Sequence, residues 1–276
     1  MKQEKKKITI ADITALKKDF GFKSLNTVCQ SAKCPNIGEC FKKGTATFLI
    51  LGKYCTRGCG FCAIEKHKPE LVDKNEPLKI AKAIKKLGLL YVVITSVTRD
   101  DLPDGGAEYF AKTIDEIKTL IHGIKVEVLV PDFLGSEKSI DTVLDANPDV
   151  FSHNLETVPA LYGKVRKGAE YKRSLEVLKY AKSRDCKVKT GIMLGLGETQ
   201  SQVFETIGDI KNINTDTLTI GQYLAPTKEH YPVIKEYTQE EFKIIEDFAV
   251  STGIRQVISG RYIRSSYLAE ESFKKL

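Results

Sequence analysis

Residues 47–62 read TFLILGKYCTRGCGFC, an apolar strand candidate over 47–51 that runs straight into three closely spaced cysteines. Cys55, Cys59 and Cys62 are spaced C-x3-C-x2-C. Spacings this short let one loop wrap a compact cluster, with each thiolate reaching a different iron. Gly58 and Gly60 are expected to supply the unusual dihedrals of such a wrap. Three ligands on a four-iron cluster leave one iron open, and an open iron points to chemistry rather than simple electron storage. The competing reading is a structural zinc site. It would need a fourth ligand, and His67, five residues past Cys62, is the residue that could complete it.

A second triplet lies upstream. Cys29, Cys34 and Cys40 are spaced C-x4-C-x5-C, too wide for a zinc knuckle and unlike the common ferredoxin runs. Pro35 and Gly38 make the intervening chain turn-rich. Six of the seven cysteines thus fall between residues 29 and 62. In a reducing compartment such density reads as metal ligation before disulfides, and an odd total fits a disulfide framework poorly. The first triplet also needs a fourth ligand. Cys186 is a candidate by chemistry, but its setting between a helical pattern and a strand favours a small apolar core residue.

Outward from the cysteine loop, strand and helix patterns alternate. Strands are expected over 47–51, 91–95, 125–130, 150–152, 187–193 and 217–220. Helices are expected over 77–87, 107–121, 137–144, 171–183, 200–211 and 239–251, on apolar spacing and turn signals. Repeated βα units with β-branched, buried strands argue for a parallel sheet. Six such units suit an α/β fold of the partial (β/α)6, TIM-like type, in which loops at the strand C-terminal ends build the site. The cysteine loop follows the first strand and therefore belongs to that end. The expected division is an N-terminal extension over 1–45, a barrel over 46–255 and a C-terminal segment over 256–276.

The chain has 276 residues, 42% hydrophobic and 29% charged. That is an ordinary globular composition with material for a sizeable core. No apolar run approaches the roughly 18 residues of a membrane span. The lysine-rich start MKQEKKKITIADIT is not followed by a long apolar segment, so it reads as a short charged tail of a cytoplasmic protein, not a signal peptide. The net charge of +7 describes a solvated basic surface, or attraction to an acidic partner protein or anionic small molecule. The basic residues are scattered without aromatic interleaving, so nucleic acid is not indicated.

Three loops at strand ends hold candidate binding groups. TSVTRDDLPDGG, 95–106, ends in Gly105 and Gly106, a pair that lets backbone approach a ligand. SHNLET, 152–157, offers Asn154 and Glu156, alternate residues able to face one side and hydrogen-bond a ribose or an amine. GIMLGLGE, 191–198, places Gly191 and Gly195 where a flat adenine ring could rest on backbone.

CTRGCGFC, with the aromatic Phe61 before its last cysteine, resembles the signature of the radical S-adenosylmethionine (radical SAM) superfamily. GIMLGLGE is similar to that superfamily's G-x-I-x-G-x-x-E segment beside the adenine, with Met193 in place of the usual isoleucine. Gly105 and Gly106 match in position the pair near the methionyl amine, although Ala107 stands where a glutamate commonly follows. C-x4-C-x5-C, TSVTRDDLPDGGA, HNLETV, VRKGAEYKRSLEVL and the segment Arg264-Ser265-Ser266-Tyr267 resemble the lipoyl synthase family in particular, over nearly the whole chain from Val28 to Tyr267.

That resemblance implies two [4Fe–4S] clusters and S-adenosylmethionine. The cluster of Cys55, Cys59 and Cys62 would donate an electron that breaks the sulfonium into methionine and a 5′-deoxyadenosyl radical. The radical would abstract hydrogen from an unactivated methylene of an octanoyl chain amide-linked to a carrier-domain lysine. An auxiliary cluster on Cys29, Cys34, Cys40 and Ser266 would supply sulfur at carbons six and eight. The implied partners are octanoylated lipoyl domains of 2-oxoacid dehydrogenase E2 subunits, the glycine cleavage H protein and a low-potential electron donor, with no membrane and no nucleic acid. The alternatives are another sulfur-inserting radical SAM enzyme with an auxiliary cluster, which should lack both C-x4-C-x5-C and RSSY, and a non-enzymatic iron–sulfur electron carrier.

Overall fold

The computed structural model describes residues 45–276 without interruption, together with residues 11, 26–28, 34, 36, 39, 40 and 43; Cys29 and the charged tail over 1–10 lie outside the described residues. Among the described residues eight strands form one sheet whose spatial order is the chain order. β1 (Asn26–Thr27) is antiparallel to β2 (Thr47–Ile50). From β2 every neighbour is parallel: β3 (Tyr91–Ser96), β4 (Lys125–Leu129), β5 (Val150–Ser152), β6 (Val188–Leu194), β7 (Thr217–Gln222) and β8 (Gln256–Gly260).

Helices return the chain between strands, as parallel pairing requires. They are α1 (Glu76–Leu87), α2 (Ala107–Leu120), α3 (Glu137–Asp145), the one-turn α4 (Tyr162–Val165), α5 (Tyr171–Ser183), α6 (Gln200–Asn212) and α7 (Gln239–Ser251). Local chemistry sets several boundaries. Thr199 with Gln202, and Thr238 with Glu241, form reciprocal capping boxes at the starts of α6 and α7, each satisfying two backbone donors. Gly88 adopts φ 67° after α1 and donates its N–H to the carbonyls of Ile84 and Lys85, the left-handed ending that glycine favours.

β2 to β7, each followed by helix, are the six expected βα units of a partial barrel. β8 is a seventh parallel strand beyond that expectation. Its sequence, QVISG, is half-buried throughout and carries no long apolar run, so periodicity alone does not mark it.

The register sorts side chains by face. Val92, Ile94, Val126 and Val128 point outward and pack with Ile84, Phe110, Ile114 and Ile117 of the helices in the main core. Tyr91 and Val93 point inward, and the pairing continues that inner row through Glu127, Ser152, Lys189, Gly191, Thr217 and Thr219. Low in the barrel Lys189 pairs with Glu127 at 3.0 Å, both almost fully buried, while Tyr91 and Ser152 donate to the same carboxylate at 2.6 and 3.0 Å. A buried ion pair is retained at little cost only when its lone pairs are satisfied in this way.

The chain after β8 fills the open side. Ile263 passes so close to the inner face that a Cβ on Gly221 would lie 2.2 Å from its carbonyl oxygen. The segment then descends to α8 (Ala269–Phe273), where Ala269 and Phe273 pack against Tyr91 and Val93. Near this same stretch lie the described residues of the first cysteine loop. Asn36 donates to the Tyr262 carbonyl at 2.6 Å, Tyr267 donates to Glu39 at 2.9 Å, and Lys43 pairs with Glu271 at 3.6 Å.

Candidate cluster and cofactor site

The loop carrying Cys55, Cys59 and Cys62 leaves the C-terminal end of β2, the end at which parallel α/β sheets build sites. It is sewn down along its length. Cys55 N–H donates to Glu65 O at 3.0 Å and Thr56 N–H to Thr98 O at 3.0 Å. Gly60 N–H donates to Val165 O, and Gly60 O accepts from Tyr231, both at 2.8 Å. Neither Gly58 nor Gly60 has positive φ, contrary to the expectation from sequence. An added Cβ at Gly60 would stand in ordinary contact with Tyr231 at 3.4 Å and Val165 O at 3.7 Å, so what Gly60 contributes here is its two backbone hydrogen bonds.

Arg57, inside the loop, is nearly buried and braces it. Its guanidinium grips both oxygens of Asp100 and reaches Asp132 at 2.6 Å, while Arg173 holds the other Asp132 oxygen at 2.8 Å. Burial opposes ionisation of Asp132, but hydrogen bonds and charge from Arg57 hold its carboxyl well below the usual range, the ordinary effect of a close opposite charge.

Burial pushes the Cys59 thiol up to about 11, with Arg166 opposing, and the Cys62 thiol up to about 12. The charges of Cys55 and Cys59 add to the shift at Cys62, so the three sulfurs feel one another. Arg166 is buried behind them and donates to Tyr162 and Ser174 at 2.9 and 3.0 Å. His153 Nδ1 lies 2.8 Å from Val130 O and its Nε2 is 3.5 Å from Arg166, an arrangement that fits a neutral ring protonated on Nδ1. Burial, then the Arg166 charge, holds His153 down at about 3.

This donor set suits a multi-iron cluster. Three thiols on one short loop are the donors that such a cluster takes, one per iron, although among the described residues no group of three His, Cys, Asp or Glu side chains stands where it could hold a metal ion. His67, the residue a zinc reading needs, is exposed and packs edge-on against Tyr54 at 5.0 Å.

Asn154 and Glu156 sit where the chain continues past β5 along β6. Glu156 donates its N–H to Gly191 O at 2.9 Å and accepts from Met193 N–H at 2.8 Å. Glu156 holds φ 67°, a conformation rarely adopted by a residue with a Cβ. Burial raises its carboxyl, with Arg166 opposing. Asn154 Nδ2 donates to Glu156 Oε1 at 3.0 Å and to Ser265 Oγ at 2.6 Å. Its Oδ1 is buried with no hydrogen-bond partner. An orphaned buried acceptor calls for a donor, and S-adenosylmethionine offers ribose hydroxyls and an ammonium group.

The remaining candidates fall in different places. A Cβ on Gly191 would meet Thr219 Oγ1 at 2.6 Å and both Asn154 Oδ1 and Ser265 Oγ at 3.1 Å, so this glycine clears room for their convergence. Gly195 lies further along, its N–H bound by Glu198 at 2.6 Å and its Cβ position filled by Gln222 and Lys235. Gly105 and Gly106 face the protein: added Cβ atoms would meet Phe133 at 3.0 Å and Leu51 at 2.2 Å. Glu108, after that pair, is exposed and paired with Lys112 at 2.6 Å. Phe61 is half-buried against the main core. Beside Cys62 opens a cavity of about 540 Å³ whose lining includes Lys66, Lys164, Lys167 and Tyr231.

For the first triplet, Cys34 and Cys40 are described, half-buried and buried. Arg264 lies near Cys34; burial pulls its guanidinium down, and the cysteine charge opposes this. Ser266 is half-buried between Arg264 and Tyr267. Cys186 stands two residues before β6, at the opposite end of the sheet from the cysteine loop, with its thiol donating to Lys187 O at 3.6 Å and pushed up to about 11 by burial.

Reading the sequence misses Arg57, Asp100, Asp132, Arg166, His153 and Ser265. Several stand in quoted motifs, but the partners of Arg57 and Ser265 lie 43 to 111 residues away, a separation at which no local pattern pairs them.

A family model described as the radical SAM superfamily matches residues 49–210. A lipoyl synthase of Caldicellulosiruptor saccharolyticus is 55% identical over 96% of this chain and 93% of its own length. One from Caldanaerobacter subterraneus subsp. tengcongensis is 55% identical over 90% of this chain and 87% of its own, and one from Aquifex aeolicus 52% over 90% and 91%. Among solved structures, Streptococcus suis SuiB bound to S-adenosylmethionine superposes with TM-score 0.62 at 14% identity, over 90% of this chain and 59% of that one. The [FeFe]-hydrogenase maturase HydG gives 0.58 at 14%, over 92% and 69%. At such identities these structures speak for the fold.

Proposed function

The chain belongs to the lipoyl synthase family within the radical SAM superfamily, and we propose that it inserts sulfur at carbons six and eight of a protein-bound octanoyl-lysine. What supports the reading in this chain is the segment 262–267, which bonds Asn36 and Glu39 near the first cysteines and Asn154 at the strand ends from which the second cysteine loop also leaves. An electron carrier needs no orphaned acceptor beside its cluster, and no six βα units to frame one.

When bound, the clusters and S-adenosylmethionine supply an electron, a primary carbon radical and the inserted sulfur. The protein supplies position and exclusion. Cys55, Cys59 and Cys62 hold one cluster, on a loop kept rigid by Arg57. Cys29, Cys34, Cys40 and Ser266 hold the second, Ser266 as a hard oxygen ligand weaker toward iron than thiolate. Asn154 and Glu156 orient the cofactor's ribose or amine. Arg166 offsets the negative charge gathered at the loop, in keeping with its coupling to Cys59 and Glu156. Gly191 and Gly195 border the adenine side, Phe61 the cluster side, and Gly105 with Gly106 shape the turn into α2 near the methionyl end.

The octanoyl chain is carried by lipoyl domains of E2 subunits or by H protein; acidic carriers suit a chain of net charge +7, since complementary charge speeds encounter. Lys66, Lys164 and Lys167 outnumber Glu65 and Glu229 around the cavity beside Cys62, a balance that suits an acidic, low-potential electron donor. No helix among the described residues is long and apolar enough to cross a membrane, and thiols that must stay reduced to bind iron support a cytoplasmic setting. The deciding experiment is anaerobic incubation of the iron–sulfur-loaded enzyme with S-adenosylmethionine, a reductant and an octanoyl-lysine peptide. Two added sulfurs by mass spectrometry are expected; 5′-deoxyadenosine without sulfur transfer to any octanoyl substrate would overturn the reading.

A further inference from the structure

We propose that Ser265 is a positioning residue for S-adenosylmethionine, setting the Asn154 side-chain amide and so coupling the cofactor pocket to the C-terminal segment that reaches the first cysteine loop. The inference rests on the cofactor reading above, but not on the octanoyl substrate.

An asparagine amide has two donor hydrogens and one acceptor oxygen, and which way it faces is decided by its partners. Here both hydrogens are claimed. Glu156 Oε1 accepts one at 3.0 Å and Ser265 Oγ the other at 2.6 Å. With the nitrogen fixed from two sides, Oδ1 has one direction left, and there it is buried and unpartnered. Asn154 itself is only 8% exposed. Glu156 alone does not determine the amide, because one acceptor leaves rotation about it. Ser265 supplies the second point.

The surroundings are cleared for this contact. Gly191 is the residue against which Asn154 Oδ1 and Ser265 Oγ close, each 3.1 Å from where its Cβ would stand. Gly221 gives way to the Ile263 carbonyl two residues before Ser265. The contact spans 111 residues of chain, so it holds only while the segment after β8 lies across the barrel. That segment is tied to the first cysteine loop through Asn36, Glu39 and Arg264 near Cys34. The placement of Asn36 and Glu39 is thereby passed to the buried oxygen of Asn154, and coupling of this kind is reciprocal. Cofactor bound at Asn154 should in turn hold the segment in place.

The test is equilibrium binding of S-adenosylmethionine to the anaerobically reconstituted enzyme without octanoyl substrate. S265A should weaken binding about three- to ten-fold, the worth of one hydrogen bond, with iron content unchanged. S265T, which keeps the hydroxyl, should bind like the wild type. In an N154A background, S265A should have no further effect. Hydrogen exchange of residues 262–267 in the wild type should slow when the cofactor is added, and this protection should vanish in S265A. Unchanged affinity in S265A, independent effects of S265A and N154A, or absence of cofactor-dependent protection in the wild type would each overturn the proposal. Should S265A also lose iron, the wild-type exchange result and the S265T affinity decide it. A wild-type enzyme that binds no S-adenosylmethionine would instead sink the cofactor reading itself.

Discussion

Arg57 and Asp100 meet as a two-pronged ion pair, Nε to Oδ2 at 2.7 Å and Nη2 to Oδ1 at 2.8 Å, joining the cysteine loop to the chain beyond β3. Asp132 holds the same guanidinium from the side of β4. Removing one partner of a buried pair costs about 3–5 kcal/mol, because the other charge stays behind without compensation. Arg57→Ala should therefore lower the melting midpoint of the metal-free protein and shorten iron retention on gel filtration. Arg57→Lys should rescue only part of both, since an ammonium cannot make the planar fork. Wild-type iron retention in Arg57→Ala would show the brace to be dispensable.

The cluster thiols carry a pH prediction. Burial holds Cys59 at about 11 and Cys62 at about 12, so near neutrality both keep their protons until iron displaces them. Iron loading should strengthen as pH rises, by about a hundred-fold in apparent affinity per unit if both protons are released. Competition against a chelator at neutral pH and one unit above measures this, and equal affinities would mean that the thiols are already ionised.

Glu76 makes a stability prediction. Its carboxylate accepts from Leu51 N–H at 2.7 Å, just before the cysteine loop, and burial raises it to about 7 from 4.5. Asp73 adds to the shift and Lys79 opposes it. The folded form thus keeps a proton that the unfolded chain releases. Its contribution is fully present below pH 4.5 and is lost as pH rises to about 7, a change of about 3 kcal/mol by proton linkage. Glu76→Gln keeps an acceptor for Leu51 and should flatten this part of the pH profile of the metal-free protein's thermal midpoint. An identical slope in the variant would reject the assignment.

Gly106 separates packing from ligand contact. It holds φ 91°, and a Cβ would stand 2.2 Å from Leu51 Cδ1. Gly106→Ala should destabilise even the metal-free, cofactor-free protein, by about 1–3 kcal/mol from strain and overpacking together. A variant with wild-type melting but weakened S-adenosylmethionine binding would assign the glycine to the ligand instead.

Much of the barrel is legible because its strands are short apolar runs and its helices amphipathic, signals contained within a few turns of chain. Helices at Tyr171–Ser183 and Gln239–Ser251 and the strand at Val150–Ser152 fall where the pattern puts them. β8 is not legible, because an edge strand half-covered on both faces needs no apolar run. The site divides the same way. Cysteine spacing is local and can be read directly. The Arg57 brace and the Asn154–Ser265 contact are products of tertiary folding, and nothing in the sequence around either partner names the other. From sequence, Gly58 and Gly60 look like sources of unusual dihedrals, whereas neither has positive φ and Gly60 holds the loop through its backbone bonds to Val165 and Tyr231.

The bond from Asn36 to the Tyr262 carbonyl joins residues 226 positions apart, and this sets an order of events during synthesis. At about 5–20 residues per second, the ribosome delivers Tyr262 roughly ten to forty-five seconds after Asn36. Through that interval the early cysteine segment can lean on β2 through β1 but not on residues 262–267, while the loop of Cys55 to Cys62 gains β3 and β4 as soon as the chain reaches Leu129. The loop of Cys55 to Cys62 can thus gain part of its folded surroundings early in synthesis, whereas the contacts of Asn36 and Glu39 with residues 262 and 267 wait until the chain has passed β8.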